Sequence, residues 1–313
     1  MRIVFFGTPD FAVPSLRAIQ EEGHLVLAVV TQPDRPAGRG RKTSVGAVKR
    51  EAAEEGIEVL QPEDPNDPEV LARLREMEPE LFVVVAYGRI LSQELIDIPT
   101  NGTINVHASL LPELRGAGPV NWAIIRGNEK SGVTIMKIVP ALDAGPILYR
   151  VETRLPPDIT AGDLGERLSE VGAAALVEAL AQMESGVLAE VDQDESRATY
   201  APKLDRDTAR IDWSLDAPSL DRWIRGCDPW PGAWTRLGDD SVQMFSPSVV
   251  ESSGDSVDAP PGTVVQADPR SGLRVATSAG LIDIAEVKPA GRSRMPSRAW
   301  VAGRGVATGD RFA

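Results

Sequence analysis

Apolar residues in the first half of the chain fall into short runs, separated by stretches with the spacing of amphipathic helices. Residues 2–6, 25–31, 57–60, 81–86 and 102–107 read as strands, and residues 11–22, 44–55 and 68–77 between them as helices. The run 81–86 is apolar without interruption, as in a strand covered on both faces of a parallel sheet. Gly7-Thr8-Pro9-Asp10 makes a tight turn, Asp10 is placed to cap the helix that follows, and Gly23 closes it. A helix over 119–126, a strand over 133–139 and a long helix over 161–185 complete the pattern. Strands alternating with helices in this way predict an α/β fold with a Rossmann-like, doubly wound, mostly parallel sheet.

Beyond residue 185 the pattern changes. An acidic, alanine-rich stretch over 184–196 has the look of a linker face, and the expected division is a first domain over 1–190, a linker over 191–205 and a second domain over 206–313. Four of the six tryptophans, Trp213, Trp223, Trp230 and Trp234, fall within about twenty residues there. Strand-like pieces at 241–245, 263–265, 273–276 and 281–285, separated by Gly, Pro and Asp turns, predict a small β-barrel, OB-fold-like. Such barrels often bind oligonucleotides; the tryptophans weigh more as core than as a base-stacking platform. Residues 251–261 form a polar loop without evident chemistry.

At 313 residues, two domains are expected, and 42% hydrophobic with 25% charged residues is the balance of an ordinary globular protein. No apolar run reaches the length of a membrane span, and no secretory leader precedes the first strand, so cytoplasmic residence is expected. The lone Cys227 rules out an internal disulfide, and with two histidines it argues against a zinc site; no metal is expected. A net charge of -13 argues at first against an anionic partner. The charge is uneven, however: Arg35, Arg39, Arg41, Lys42, Lys49 and Arg50 stand against the single acid Asp34. Gly38 and Gly40 loosen this segment, so it reads as a basic loop able to close over a phosphate backbone, the plain alternative being a solvated face. Lys288, Arg292, Arg294, Arg298 and Arg304 form a second basic stretch.

Asn105, His107 and Asp143 carry the candidate chemistry. Strand residues alternate faces, so Asn105 and His107 project from one side at the end of a strand, where open α/β folds keep their sites. The plain alternative is a surface-turn histidine beside an asparagine bonded to its own backbone. A nicotinamide or flavin site is rejected: Gly7-Thr8-Pro9-Asp10 lacks the three-glycine spacing, and the second strand ends in Thr31-Gln32-Pro33 without an acid.

Several segments then resemble one family in order along the whole chain: the opening through Phe5-Phe6-Gly7-Thr8-Pro9-Asp10, the basic loop from Gln32 to Lys42, Ala86-Tyr87-Gly88, Asn105-Val106-His107-Ala108-Ser109-Leu110-Leu111-Pro112, Leu142-Asp143-Ala144-Gly145, Arg210-Ile211-Asp212-Trp213-Ser214 and Pro229-Trp230-Pro231-Gly232. They resemble the methionyl-tRNA formyltransferases, within the wider family using 10-formyltetrahydrofolate. The resemblance implies a formyl donor, 10-formyltetrahydrofolate, and an acceptor, the α-amine of methionine on initiator tRNA. It implies that Asn105 stabilises the oxyanion, that His107 assists or moves a proton, and that Asp143 orients His107, raises its pKa or relays the proton. By the same resemblance Ser109, Leu110, Leu111 and Pro112 line the folate pocket, the backbone at Ala86, Tyr87 and Gly88 meets the pterin, and Arg35, Arg39, Arg41 and Lys42 meet tRNA. A monomer is expected. Glu113 and Leu114 depart from the basic and aromatic residues usual after the Ser-Leu-Leu-Pro turn. Two other readings stand beside this one: a formyltransferase acting on a small amine such as an amino sugar nucleotide, and a non-catalytic α/β binding module.

Overall fold

The computed structural model describes residues 1–37, 42–250 and 259–313, with the main chain alone at 35–37 and 42–44. The chain divides into two compact units, the first comprising residues 1–119, 130–154 and 165–202, and the second residues 120–129, 155–164 and 203–313. Residues 191–202, expected as linker, thus group with the first unit.

In the first unit the strands are β1 (Arg2–Gly7), β2 (Leu25–Val30), the short pair β3 (Arg35–Ala37) and β4 (Lys42–Ser44), β5 (Val59–Leu60), β6 (Leu81–Val85), β7 (Thr103–His107), β8 (Lys130–Lys137) and β9 (Ile147–Arg154). Seven of them form one sheet in the order β5-β2-β1-β6-β7-β8-β9. Pairing is parallel from β5 to β7 and antiparallel from β7 to β9. The chain winds outward from β1 through β2 to β5, then returns to place β6 on the other side of β1. A crevice therefore opens beyond the carboxyl ends of β1 and β6, the usual ligand position in such sheets. The sequence reading had one strand over 133–139 here; the structure has two, because the exposed Arg150, Glu152 and Arg154 of β9 leave it no apolar run to be read by.

The helices α1 (Val13–Glu21), α2 (Ala47–Glu54) and α3 (Pro68–Glu76) follow the predicted pattern, the short α4 (Gln93–Ile96) falls outside it, and α5 (Pro119–Ile125) and α6 (Ala161–Glu184) run across the division of the units. Asp10 does not cap α1. A 3-10 turn begins there, α1 starts at Val13 without a side-chain cap, and Asp10 lies 3.9 Å from Arg50. One face of the sheet is closed by a core of Val4, Phe6, Val30, Leu71, Leu74, Phe82, Tyr87 and Leu95. Each such side chain contributes about 1.5–3 kcal/mol on leaving water, which fixes the strand ends from which the site is built.

The second unit holds α7 (Ala217–Gly226), β10 (Trp234–Leu237), β11 (Asp240–Val250), β12 (Val264–Asp268), β13 (Gly272–Ala276), β14 (Leu281–Pro289), β15 (Met295–Pro296) and α8 (Ser297–Ala302). Its antiparallel sheet runs β10-β11-β14-β13-β12. The tail joins the two outer strands, since Phe312 bridges to Leu237 and Arg311 to Thr263, curling the sheet into a small barrel. Trp213 and Trp300 are core, Trp213 stacking on Phe312 at 5.7 Å, and Trp223 and Trp234 are half-buried. Trp230 is 60% exposed, against the expectation for core.

Candidate active site

Asn105 and His107 lie on the last turn of the pleat in β7, two positions apart and so on one face. His107 is buried, 6% exposed, and Asn105 is half-buried. Among the described residues the Asn105 side chain has no hydrogen-bond partner, so its amide is free for a reactant. The imidazole is oriented from the other side. Its Nε2 lies 3.1 Å from the Leu114 carbonyl, which can only accept, so Nε2 carries the hydrogen and a neutral ring keeps its lone pair on Nδ1. Burial pushes the His107 pKa below the ordinary imidazole value. Asp143 and the Leu114 carbonyl pull it upward without overcoming burial. The sequence-based expectation that Asp143 raises this pKa therefore holds for its charge and not for the net shift.

Asp143 lies in the loop between β8 and β9, with Oδ2 3.8 Å from His107 Nδ1, too far for a direct hydrogen bond. Asp143 does not itself orient the ring; the Leu114 carbonyl does. Asp143 has a left-handed backbone, φ 48°, and its carboxylate accepts the Gly116 amide at 2.7 Å. Nearby, Gly145 is required by space: an added Cβ would come within 1.8 Å of the Lys137 carbonyl oxygen.

The Ser109 to Pro112 turn is built from inside. Thr134, opposite His107 on β8, donates its hydroxyl to the Ser109 carbonyl at 2.7 Å and accepts the Leu111 amide at 3.1 Å. The Ser109 hydroxyl is engaged by the Glu113 carbonyl at 2.6 Å. Ser109 and Leu111 are 0% exposed and Pro112 is buried, so they shape the turn, whereas Leu110 is half-buried and can face a ligand. Glu113 pairs through its carboxylate with Arg197 at 3.1 Å. Its departure from the family pattern thus leaves the histidine's support intact.

At the end of β6, the strand paired with β7, Ala86 and Gly88 are exposed with positive φ values of 48° and 77°. Tyr87 is buried, and its carbonyl already accepts the Gln32 amide at 2.6 Å. Gln32 belongs to a network in which Lys49 pairs with Asp34 at 2.6 Å and Gln61 spans Asp34 and the Gln32 carbonyl. Lys49 and Gln61 together hold the Asp34 carboxyl below its usual range. Of the basic-loop residues, Arg39 and Arg41 lie outside the described residues, and Arg35 and Lys42 are described only as main chain in β3 and β4. In the second unit Arg294 pairs with Asp228 and Glu286, and Lys288, Arg292, Arg298 and Arg304 of the same stretch are exposed. Arg206 and Arg210 stand over the Trp234 ring at 6.0 and 5.8 Å.

Sequence reasoning missed Leu114 and Gly116 as main-chain partners, along with Arg115 and Gln193. Arg115 is 2% exposed and bonds Gln193 and Glu195. The buried arginine follows the recognised turn directly, and that adjacency could have drawn attention to it. Gln193, in a polar acidic stretch, carries no signal at all.

Residues 1–180 match the family described as formyl transferase, and residues 203–305 match formyl transferase, C-terminal domain. A methionyl-tRNA formyltransferase of Geotalea daltonii is 43% identical over 312 residues, covering 100% of this chain and 98% of the relative. That of Methylococcus capsulatus is 45% identical over 298 residues, covering 95% of each. Among solved structures, an N-formyltransferase from Helicobacter canadensis in complex with folinic acid and dTDP-3-aminofucose has a TM-score of 0.65 at 16% identity, covering 90% of this chain and 97% of that one. HypX from Aquifex aeolicus in complex with tetrahydrofolic acid has a TM-score of 0.63 at 21% identity, covering 96% of this chain and 47% of that one. These two likenesses concern the fold.

Proposed function

The chain belongs to the formyl transferase family in both its N-terminal and its C-terminal domain, and from that premise we propose that it transfers a formyl group from 10-formyltetrahydrofolate to the α-amine of methionine on initiator tRNA. The observation that carries the choice of acceptor is the match through the whole chain, second unit included, to methionyl-tRNA formyltransferases above 40% identity. The Asn105, His107 and Asp143 set alone would serve a small amine equally well.

The residues support the chemistry as follows. The acceptor amine attacks the formyl carbon, the carbonyl oxygen takes on negative charge, and the free Asn105 amide donates to it. Neutral His107, its Nε2–H held by Leu114, presents the Nδ1 lone pair on the side of Asp143, and at 3.8 Å the two do not bond each other but are close enough for one proton-bearing group beside them to reach both. The amine proton passes to that pair, which hands it on to the leaving donor nitrogen as the bond from carbon to that nitrogen breaks. Half-buried Leu110 and exposed Ala86 and Gly88 supply the apolar and main-chain surface for the donor, while Ser109, Leu111, Pro112 and the Tyr87 carbonyl hold that surface in place.

Arg35, Arg39, Arg41 and Lys42 supply charge for the acceptor end of the tRNA, with Arg206, Arg210 and the exposed basic residues from Lys288 to Arg304 available on the second unit. In a chain of net charge -13 this local positive charge is what lets a polyanion approach. The test is an assay with 10-formyltetrahydrofolate and charged initiator tRNA, with an amino sugar nucleotide as competing acceptor. Turnover of the tRNA and not of the nucleotide is expected; the reverse preference would overturn the assignment of the acceptor.

A further inference from the structure

We propose that Gln193 is a positioning residue for Asp143, holding the loop between β8 and β9 so that the carboxylate faces His107; this rests on the reading that Asp143 takes part in formyl transfer. The Gln193 amide nitrogen donates its two hydrogens to two main-chain carbonyls of that loop, those of Asp143 and Gly145, each at 2.8 Å. Both bonds act where the backbone is least comfortable, beside the left-handed φ of 48° at Asp143. A non-glycine residue keeps such a conformation only where its surroundings determine it.

Gln193 is itself fixed. Its oxygen accepts Nε and Nη2 of the buried Arg115 at 3.1 and 2.8 Å, and the rest of that guanidinium grips Glu195 at 2.9 and 2.7 Å. The main chain of Arg115 is bridged in turn to Tyr200, with its amide donating to the Thr199 carbonyl at 2.8 Å. Three consecutive residues therefore serve both partners of the site: the Leu114 carbonyl orients His107, the Arg115 side chain fixes Gln193, and the Gly116 amide binds the Asp143 carboxylate. A displacement of the loop by about 1 Å is enough to cost on the order of 100-fold in rate, so a residue that touches no reactant can govern turnover from here.

Two substitutions separate positioning from simple support of Arg115. Gln193→Met keeps the length and removes every hydrogen bond. Gln193→Glu keeps an acceptor for Arg115 but has no hydrogen for the two carbonyls and repels them. Steady-state kinetics and thermal unfolding of both, with Asp143→Asn in parallel, decide the matter. The expected result is a fall in kcat of roughly 10- to 100-fold in both variants. KM for the folate donor should stay within about twofold, and Gln193→Glu should lose less Tm than Gln193→Met because Arg115 retains its partner. Wild-type kcat in Gln193→Glu overturns the proposal, and that variant alone decides if Gln193→Met fails to fold. A rise in donor KM matching the fall in kcat, with a loss of Tm in Gln193→Glu as large as in Gln193→Met, also overturns it, by showing general support of the fold. Wild-type turnover in Asp143→Asn would instead remove the reading of Asp143 on which the proposal rests, and the proposal with it.

Discussion

At the scale of the residue, the candidate chemistry depends on a histidine kept neutral by burial. His107 has a folded pKa below the unfolded value of 6.5, so between the two the unfolded chain binds more protons. Its contribution to stability is full above pH 6.5 and is lost as pH falls. Unfolding followed across acidic pH should show a slope that weakens in His107→Asn; an unchanged slope would mean that His107 titrates alike in both states. On the same ground kcat/KM should persist below pH 6.5 before its acid limb falls. Asn105→Ala should lower kcat by roughly 100-fold or more with little change in Tm, since it is polar and fills no core, whereas Asp143→Ala should lower kcat similarly and also Tm, because it leaves the Gly116 amide without its acceptor. His107→Ala should lower kcat similarly and also Tm, because the ring is only 6% exposed and its loss leaves a cavity and an unpaired Leu114 carbonyl. Near-normal turnover in any of the three would remove that residue from the mechanism. The identities of these residues were legible in the sequence, and so was the shared face of Asn105 and His107, because the two-residue period of a strand fixes it. The direction of the net shift on His107 was not legible, because it depends on what covers the ring.

At the scale of the element, the segment from Leu114 to Gly118 is stitched along residues 199–201. Gly116 has φ +107°, and an added Cβ would lie 2.8 Å from the Ala201 carbonyl oxygen. Gly116→Ala should therefore displace the amide that binds Asp143, costing about 1–3 kcal/mol and lowering kcat. Thermal unfolding and steady-state rates measure both effects, and a variant with wild-type kcat would show that the Gly116 amide is dispensable. The long parallel strands and their helices could be read from apolar runs and helical spacing. The edge strand β9 could not, since the exposed Arg150, Glu152 and Arg154 interrupt its apolar residues and its pairing with β8 is what makes it a strand.

At the scale of the whole molecule, the end of the first unit lies twelve residues further along than the sequence pattern placed it, at 202 instead of 190. A fragment ending at residue 190 lacks Gln193, Glu195 and the 199–201 segment, and should unfold several degrees below one ending at residue 202. Equal Tm values would show that residues 191–202 contribute nothing to the unit. Charge acts on the same scale. Arg41→Glu or Lys42→Glu should raise KM for charged tRNA, most strongly at low salt, with donor KM nearly constant. Equal damage to both constants would give the loop a structural role instead.

The sequence by itself determined the kind of fold, because apolar periodicity follows directly from the geometry of helices and strands. It also supplied the family resemblance, since residue identities such as Asn105, His107 and Asp143 need no coordinates. Only the tertiary structure decided how those residues are held: the Leu114 carbonyl on His107, the Gly116 amide on Asp143, and Gln193 on the loop between β8 and β9. Main-chain groups are the same in every residue, and Gln193 lies fifty positions from Asp143, so their partners are set by where the folded chain brings them and by nothing in their local pattern.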